Sequence, residues 1–376
     1  MKPSSSKPRW KRWLRRLGIA SATVAALLVA SCAIFFEGPY RPVTPAPKQP
    51  MVVDVHCHCA GIGGGGSGCF VSKHLQNSYK FGIYLKAFGV TREQLLAEGD
   101  GITIRHISEH IGRSTNVAAA LVLAIDGVVD DQGRLDTNRT EFYVPNEFVQ
   151  RETAKFTNLF WGASINPYRP DAIQRLEWAH KNGAKLVKWL PSIMLIDPAD
   201  ERIAPFYKRM AELGLPLLSH TGQERSFTHA RDELADPFRL ELPLKLGVTV
   251  IAAHIASTGS NDNERDVERL AKMMAKYPKL YSEISSLTQV NKLGYLREAL
   301  QRPEFAGRLL YGTDFPLINT ALVSPYMFPL NLKTGQMAHI AAIENPWDRD
   351  VAMKHTLGVP DEIFHRTAEV LKLAPK

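Results

Sequence analysis

The chain has 376 residues, of which 45% are hydrophobic and 22% are charged, and this composition excludes an intrinsically disordered protein. A formal charge of +8 would favour a nucleic-acid partner if the charge were spread over the fold. Seven basic residues lie within the first sixteen positions, however, and without them the charge falls from +8 to about +1. The positive charge therefore belongs to an N-terminal tail, and we expect no nucleic-acid partner.

An apolar segment follows this tail. Residues 17–36 carry no charge and are numerous enough to cross a bilayer as a helix. A basic flank before an apolar segment is typical of a signal peptide or signal anchor. We therefore predict that residues 1–37 are a membrane signal, which would place the folded part outside the cytoplasm. The segment could anchor the protein in the inner membrane, facing the periplasm. Since residues 29–32 resemble a lipobox, the alternative is a lipoprotein modified at Cys32. Five prolines in residues 38–50 predict an extended linker.

Three further cysteines follow the linker, at Cys57, Cys59 and Cys69. An oxidising compartment permits a disulfide, and Cys59 with Cys69 is the candidate pair. Because the sequence contains no CxxC pair, a structural zinc ribbon is not expected.

From Met51 onward, short apolar runs alternate with amphipathic segments, a pattern typical of a parallel sheet with crossover helices. The predicted strands are Met51–Cys57, Ala118–Ile125, Phe160–Ile165, Ala184–Leu190, Leu215–Ser219, Val248–Ala253, Leu280–Ile284 and Leu309–Gly312. The predicted helices include Ala172–Lys181, Pro198–Leu213, Glu264–Lys276 and Tyr295–Gln301, with glycines 183, 214 and 247 as C-terminal stops. Eight strands with intervening helices indicate an α/β fold, a (β/α)8 TIM barrel over residues 51–376. Residues 60–117 are too many for a simple connection and predict a helical excursion that roofs the barrel mouth.

Histidines and one aspartate fall at the ends of four predicted strands. His56 and His58 end the first strand, His220 the fifth, His254 the sixth and Asp314 the eighth. In a barrel, the C-terminal ends of the strands converge on one site. Three imidazoles and a carboxylate are a suitable ligand set for zinc or a similar divalent ion, with one position open for water.

In this order and spacing, the residues resemble the amidohydrolase superfamily, specifically the branch that contains aminocarboxymuconate semialdehyde decarboxylase. The resemblance runs from residue 51 to about residue 317 and rests on D-x-H-x-H at 54–58, the two later histidines and G-T-D-F-P at 312–316. It implies one divalent ion, with zinc as the expected metal, and the metal ligands His56, His58, His220 and Asp314. It further implies that Asp314 is the catalytic base and that His254 orients water or stabilises developing charge.

Lys188 ends the fourth predicted strand, where binuclear members of this superfamily carry a carboxylated lysine. The resemblance therefore adds Lys188 as a candidate catalytic residue that would bridge a second metal ion. Two alternatives remain open for Lys188, an ion pair with a substrate carboxylate and a salt bridge within the barrel.

The resemblance implies a metal-dependent hydrolase that acts on an ester, lactone or amide bond of a small-molecule substrate. Non-oxidative decarboxylation on the same site is the alternative reaction, although predicted export favours hydrolysis. A non-catalytic, surface-anchored binding module is a third hypothesis. The sequence does not predict the oligomeric state.

Two other motifs have simpler interpretations. The glycines of residues 61–66 match a dinucleotide-binding pattern, but no apolar helix begins directly after them, which favours a mobile loop or lid. Residues 106–110 match the H-x-x-E-H pattern of a group of zinc peptidases, but so short a match arises easily by chance, and a polar helix face in the excursion is the preferred explanation.

Four polar or aromatic residues that follow strand ends are candidates to line the pocket: Trp189, Glu224, Arg225 and His229. Arg225 would hold an anionic group. Ordinary loop polarity is an equally good explanation of all four.

Overall fold

The structure is a computed structural model that describes residues 51–374, together with positions 14, 18–19 and 21–24. The predicted membrane signal, Cys32 and the linker otherwise lie outside the described residues. Among the residues that are described, no helix has the length and hydrophobicity needed to span a membrane.

Eight short parallel strands form the centre of the fold, and each corresponds to a predicted strand. They are β1 (Val53–His58), β2 (Ala119–Leu123), β3 (Leu159–Gly162), β4 (Val187–Trp189), β5 (Leu217–Ser219), β6 (Val250–Ala252), β7 (Leu280–Glu283) and β8 (Leu309–Leu310). Hydrogen bonds join them into a sheet of β1-β2-β3 and a sheet of β8-β7-β6-β5-β4. An α/β fold on parallel strands is thus confirmed.

The predicted closed barrel is not formed as one continuous ladder, because the strands divide into these two sheets. An isolated parallel bridge lies at each seam, one between Cys57 and Phe315 and the other between Ala163 and Val187. Strands β8 and β3 are short, with two and four residues, and each bridge involves a residue that follows the last residue of one of these strands.

Helices cover the outside of the strands and connect them. They are α1 (Lys73–Gln76), α2 (Tyr79–Phe88), α3 (Arg92–Glu98), α4 (Gly101–Arg113), α5 (Asn146–Thr153), α6 (Ala172–Lys181), α7 (Pro191–Met194), α8 (Ala204–Leu213), α9 (Glu241–Lys245), α10 (Asp266–Lys276), α11 (Tyr295–Gln301), α12 (Thr334–Ala341), α13 (Pro346–Thr356) and α14 (Asp361–Val370). Two-residue antiparallel strands pair Phe70–Val71 with Phe142–Tyr143 and Ser260–Asn261 with Glu264–Arg265. Helices α1 to α4 form the predicted excursion after β1, and α8 ends as predicted at Gly214, whose φ of 64° places it in the left-handed region.

Side chains from the eight strands pack together in an enclosed apolar cluster. Its buried members include Val53, Val55, Leu121, Leu123, Phe160, Leu186, Leu218, Ile251 and Leu310. Side chains two positions apart in a strand point to the same side, so residues 188, 220 and 314 lie on the same side as the cluster members at 186, 218 and 310 and further along the chain. The strand order thus places Lys188, His220 and Asp314 above this cluster.

The three cysteines of the described region are free thiols, so the candidate disulfide between Cys59 and Cys69 is not formed. Both side chains are buried in the apolar core, and the Cys59 thiol faces the carbonyl of Leu123. Burial raises the pKa of the Cys69 thiol to about 12, so the reactive thiolate is disfavoured there.

Candidate metal centre

His56 and His58 reach the site through a bulge in β1. The register with β2 shifts between Asp54 and Cys57, so Val55 and His56 together face one partner position. The shift keeps Val53 and Val55 in the enclosed cluster while both histidines line the cavity above it. The aspartate of the D-x-H-x-H motif has a structural role instead: Asp54 accepts hydrogen bonds from the Thr313 backbone at 2.9 Å and from the Trp347 indole at 2.8 Å.

Three of the predicted ligands converge on one point. The Nε2 atoms of His56 and His58 lie 3.1 Å apart, and Oδ1 of Asp314 lies 3.6 Å from the first and 3.3 Å from the second. Donor atoms around a tetrahedral zinc ion at 2.0–2.2 Å are separated by about 3.4 Å. Two imidazoles and a carboxylate at these separations fit a divalent ion.

Glu283 at the end of β7 orients His56. Its Oε1 accepts a hydrogen bond from Nδ1 of His56 at 3.0 Å, which leaves Nε2 of His56 with the lone pair that a metal requires. The backbone N–H of His254 donates to the same oxygen at 2.9 Å, and that of Ser285 donates to Oε2 at 2.5 Å. Sequence reasoning missed Glu283, although an acidic residue at a strand end was a usable signal.

His254 lies beside the three ligands. Its ring stacks on that of His56 with centroids 5.0 Å apart, and its Nδ1 lies 2.8 Å from Oγ of Ser285. His254 and the next two residues have positive φ values of 58°, 51° and 51°, so the chain turns sharply where β6 ends. Burial holds the pKa of His254 well below its usual range, with a further contribution from the positive charge of Lys292, so the imidazole is neutral.

Lys188 is fully buried in contact with the site. Its Nζ lies 3.1 Å from Nε2 of His56. Burial lowers the pKa of Lys188 to about 8, although the charges of Asp314 and Glu283 oppose the shift. The first alternative for Lys188, an ion pair with a substrate carboxylate, stays open. The second, a salt bridge within the barrel, is not present among the described residues.

His220 lines the same cavity but does not belong to the converging group. Its Nε2 is buried without a hydrogen-bond partner in the part of the chain that the structure describes. The nearest carboxylate oxygen is Oε2 of Glu224 at 3.5 Å. An unpaired, buried imidazole nitrogen at the cavity wall is compatible with a metal ligand, so His220 stays a predicted fourth ligand.

The carboxylate of Asp314 is held from two sides. Oδ1 faces the two histidines, while Oγ of Ser286 donates to Oδ2 at 2.5 Å. Gln289 in turn donates to Ser286 at 2.8 Å. Burial raises the pKa of Asp314, but interactions with His56 and His58 outweigh it and hold the pKa well below the usual range. Asp314 is therefore the anionic group of the cluster.

A cavity of about 150 Å³ opens above the cluster. His56, His58, Lys188, His220, His254 and Asp314 all line it. The space suits a small molecule rather than a polymer. Apolar residues of the excursion after β1 also line the cavity, as expected of an excursion at the barrel mouth.

Of the four candidate lining residues, Glu224 and Arg225 line this cavity, and Trp189 and His229 do not. Trp189 is fully buried and donates its indole N–H to the carbonyl of Ile165. His229 stacks instead on His74, with centroids 6.0 Å apart.

The alternative motifs have structural explanations. Residues 106–110 lie within α4, and neither of their histidines joins a potential metal-binding group among the described residues. In the glycine-rich loop, the carboxylate of Asp100 accepts hydrogen bonds from the backbones of Ile62 and Gly63 at 3.0 and 2.9 Å. The loop is thus tied to α4 and contains no dinucleotide-binding helix N-terminus.

The amidohydrolase family model matches residues 117–328, more than half of the chain. The chain belongs to the amidohydrolase family. Within the matched region lie Lys188, His220, His254 and Asp314, whereas His56 and His58 precede it. The predicted family is confirmed, and the protein is an enzyme with hydrolase function at the level of the family. The hypothesis of a non-catalytic binding module is therefore wrong.

Two solved structures resemble this amidohydrolase in fold. One is a protein assigned as a 2-pyrone-4,6-dicarboxylic acid hydrolase from Pseudomonas putida. Its sequence is 14% identical, the alignment covers 85% of this chain and 97% of that chain, and the TM-score is 0.47. Another is a 5-carboxyvanillate decarboxylase from Sphingomonas paucimobilis, which is 9% identical, with 86% and 99% covered and a TM-score of 0.42. Similarity at this level does not indicate a substrate or a mechanism. A search of curated proteins gives no match.

Proposed function

We propose that this amidohydrolase is a zinc-dependent hydrolase that cleaves an ester, lactone or amide bond in a small molecule. The observation that carries the proposal is the convergence of His56, His58 and Asp314, with donor atoms 3.1–3.6 Å apart, at the inner end of a cavity. We further propose that the eight strands act as a (β/α)8 barrel whose C-terminal ends carry the site.

A zinc ion bound by these residues would lower the pKa of water towards neutrality and polarise a carbonyl oxygen. Asp314 acts as the general base and accepts the proton of the attacking water at Oδ2, the oxygen that does not face the histidines. Ser286 holds that oxygen in place and donates the hydrogen bond that keeps the carboxylate oriented.

His254 has the role of orienting water or substrate in the cavity. The Ser285 hydroxyl donates to Glu283, so Nδ1 of His254 carries the ring proton and donates to Ser285. Nε2 of the neutral ring is therefore an acceptor, and it can hold a water molecule or a substrate N–H or O–H group in place. Since its pKa is low, His254 does not compete with Asp314 for the proton.

One metal ion is proposed, with His220 as the fourth ligand. A second ion would require a carboxylated Lys188, and burial, which lowers the pKa of this amine to about 8, increases the share of the neutral form that carboxylation needs. The metal content of the Lys188→Met variant separates the two cases. If the wild type holds two ions, the variant should lose one of them; if the wild type holds one ion, the variant should retain it.

The proposal is tested with a panel of small esters, lactones, amides and aromatic carboxylic acids, incubated with the zinc-loaded protein. Asp314→Asn should abolish hydrolysis, whereas Asp131→Asn, at an exposed position, should not change it. Carbon dioxide release from the acids without any hydrolysis would instead assign the protein as a decarboxylase.

We also propose that residues 1–37 direct the enzyme out of the cytoplasm and that residues 38–50 link it to the membrane. The basic flank and the apolar segment at 17–36 support this proposal. Mass spectrometry of the N-terminus from membrane fractions would distinguish a retained anchor from cleavage or from a lipid at Cys32. An unmodified N-terminus found only in the cytosol would contradict export.

A further inference from the structure

Lys292 is a buried cation of the cavity wall that the proposed mechanism does not use. It ends the 3-10 segment Val290–Lys292 in the loop after β7, and its side chain is 9% exposed. No hydrogen bond or ion pair engages its ammonium group anywhere in residues 51–374. Nζ of Lys292 is not one of the fully enclosed side-chain atoms that lack a partner, so the ammonium group reaches the open space of the cavity, where a ligand could pair with it.

Other charged groups of the cavity already have partners. Lys188 contacts His56, and the guanidinium of Arg225 donates to Gln223. The carboxylate of Glu224 accepts the backbone N–H of Ser226 at 2.6 Å. Lys292 thus differs from the other two lysine and arginine side chains that line this cavity.

Lys292 is also electrostatically close to the reactive groups without contacting them. Its charge lowers the pKa values of His220 and His254. Burial lowers the pKa of Lys292 itself, while the negative charges of Asp314 and Glu224 oppose that shift. Lys292 lines the same cavity as the predicted metal ligands, so an anion beside its ammonium group would lie in the space that these ligands face.

The wall contributed by α2 is apolar and faces the same space. Phe81, Tyr84, Leu85 and Phe88 recur at the spacing of one helix face, and all four line the cavity. Phe142 and Phe227 extend this wall. A ligand that fills the cavity therefore meets an aromatic and aliphatic surface along with one unpaired positive charge.

We propose that Lys292 binds a carboxylate of the substrate, and that the substrate is an amphipathic carboxylic acid whose apolar body packs against α2 while its hydrolysable bond reaches the metal centre. A single ammonium group carries one positive charge and presents no bidentate donor pair, which favours a carboxylate over a doubly charged phosphate. The inference rests on the proposed function for the position of the hydrolysable bond.

The test measures binding by calorimetry to the full-length, zinc-loaded protein with two matched probes, 3-phenylpropionate and the neutral 3-phenylpropan-1-ol. Wild type should bind the carboxylate at least about tenfold more tightly than the alcohol. Lys292→Met should remove most of that preference without weakening the alcohol, and Lys292→Arg should retain it. Lys181→Met, at an exposed position at the end of α6, is the control and should behave as wild type.

A preference that survives in Lys292→Met would overturn the inference, since the carboxylate would then be held elsewhere, for example by the metal. Equal binding of the two probes to wild type would overturn it as well. The Lys292→Met variant should unfold at the same temperature as wild type or higher, because the substitution removes an unpaired charge. A large loss of stability would show that Lys292 has a structural partner, and this result would also contradict the inference. Because binding is measured without turnover, absence of hydrolysis would contradict only the proposed function.

Discussion

Nδ1 of His56 lies 3.0 Å from Oε1 of Glu283, although the two residues are 227 positions apart in the chain. Both side chains are essentially inaccessible to solvent. The hydrogen bond fixes the ring of His56 so that Nε2 points towards His58 and Asp314. Glu283 therefore prepares the metal centre without being one of the converging ligands.

Replacing Glu283 with glutamine should weaken metal binding about 10- to 100-fold. Glutamine keeps the shape, but its neutral amide offers one acceptor oxygen where the carboxylate offers two to His56, His254 and Ser285. Competition with a zinc chelator measures the change. Glu201→Gln, at an exposed position, is the control, and equal zinc affinities of E283Q and wild type would contradict the role of Glu283.

His254→Asn should lower kcat by roughly 10²- to 10⁴-fold and leave the metal content unchanged. Asparagine tolerates the positive φ of 58° at this position, and the backbone N–H that supports Glu283 is retained. Metal analysis and turnover are measured on the same preparation. Loss of the ion together with activity would show that His254 is a ligand; undiminished activity would remove it from the mechanism.

Metal-free protein should become more stable as the pH rises from about 8 to about 10.5. The folded-state pKa of Lys188 is lowered from 10.5 to about 8, so the unfolded chain binds more protons in this window and the free energy of unfolding increases with pH. Over this pH range the free energy of unfolding should rise by at most about 3 kcal/mol. Urea unfolding of chelator-treated wild type and Lys188→Met at pH 7.5 and 10 measures it, and an identical pH dependence of both proteins would contradict the assignment.

Lys80→Met should loosen the loop of residues 223–229, part of which lines the cavity. Nζ of Lys80 donates to the carbonyl of Arg225 at 2.8 Å and to those of Ser226 and Phe227 at 3.4 and 3.3 Å. Without these bonds, amides of residues 223–229 should exchange hydrogen faster and KM should rise several-fold, with kcat less affected. Lys86→Met, at an exposed position of the same helix, is the control. Unchanged exchange in K80M would show that Lys80 does not hold the loop.

Much of the fold could be predicted because apolar periodicity marks each strand. All eight strands were placed, and α6 and α11 have the predicted bounds. The strands are shorter than predicted, since apolar residues such as Ile125 and Leu190 extend beyond the paired region while remaining buried. Sequence patterns report burial, whereas strand ends depend on where hydrogen bonds to a neighbour stop.

The site was less predictable because part of it depends on contacts between distant segments. Histidines and an aspartate at predicted strand ends identified His56, His58 and Asp314, which do converge. Glu283 follows the same rule but belongs to no short motif, and Lys292 lies in a loop whose path cannot be derived from periodicity. The free state of Cys59 and Cys69 likewise depends on their packing in the core.

Metal content of the purified full-length protein, determined by elemental analysis after reconstitution with zinc, tests the central claim most directly. Wild type should retain one zinc ion per chain, and the His56→Asn/His58→Asn double variant, which lacks two of the three converging ligands, should retain none. A wild-type protein that holds no metal under these conditions would contradict a zinc-dependent mechanism.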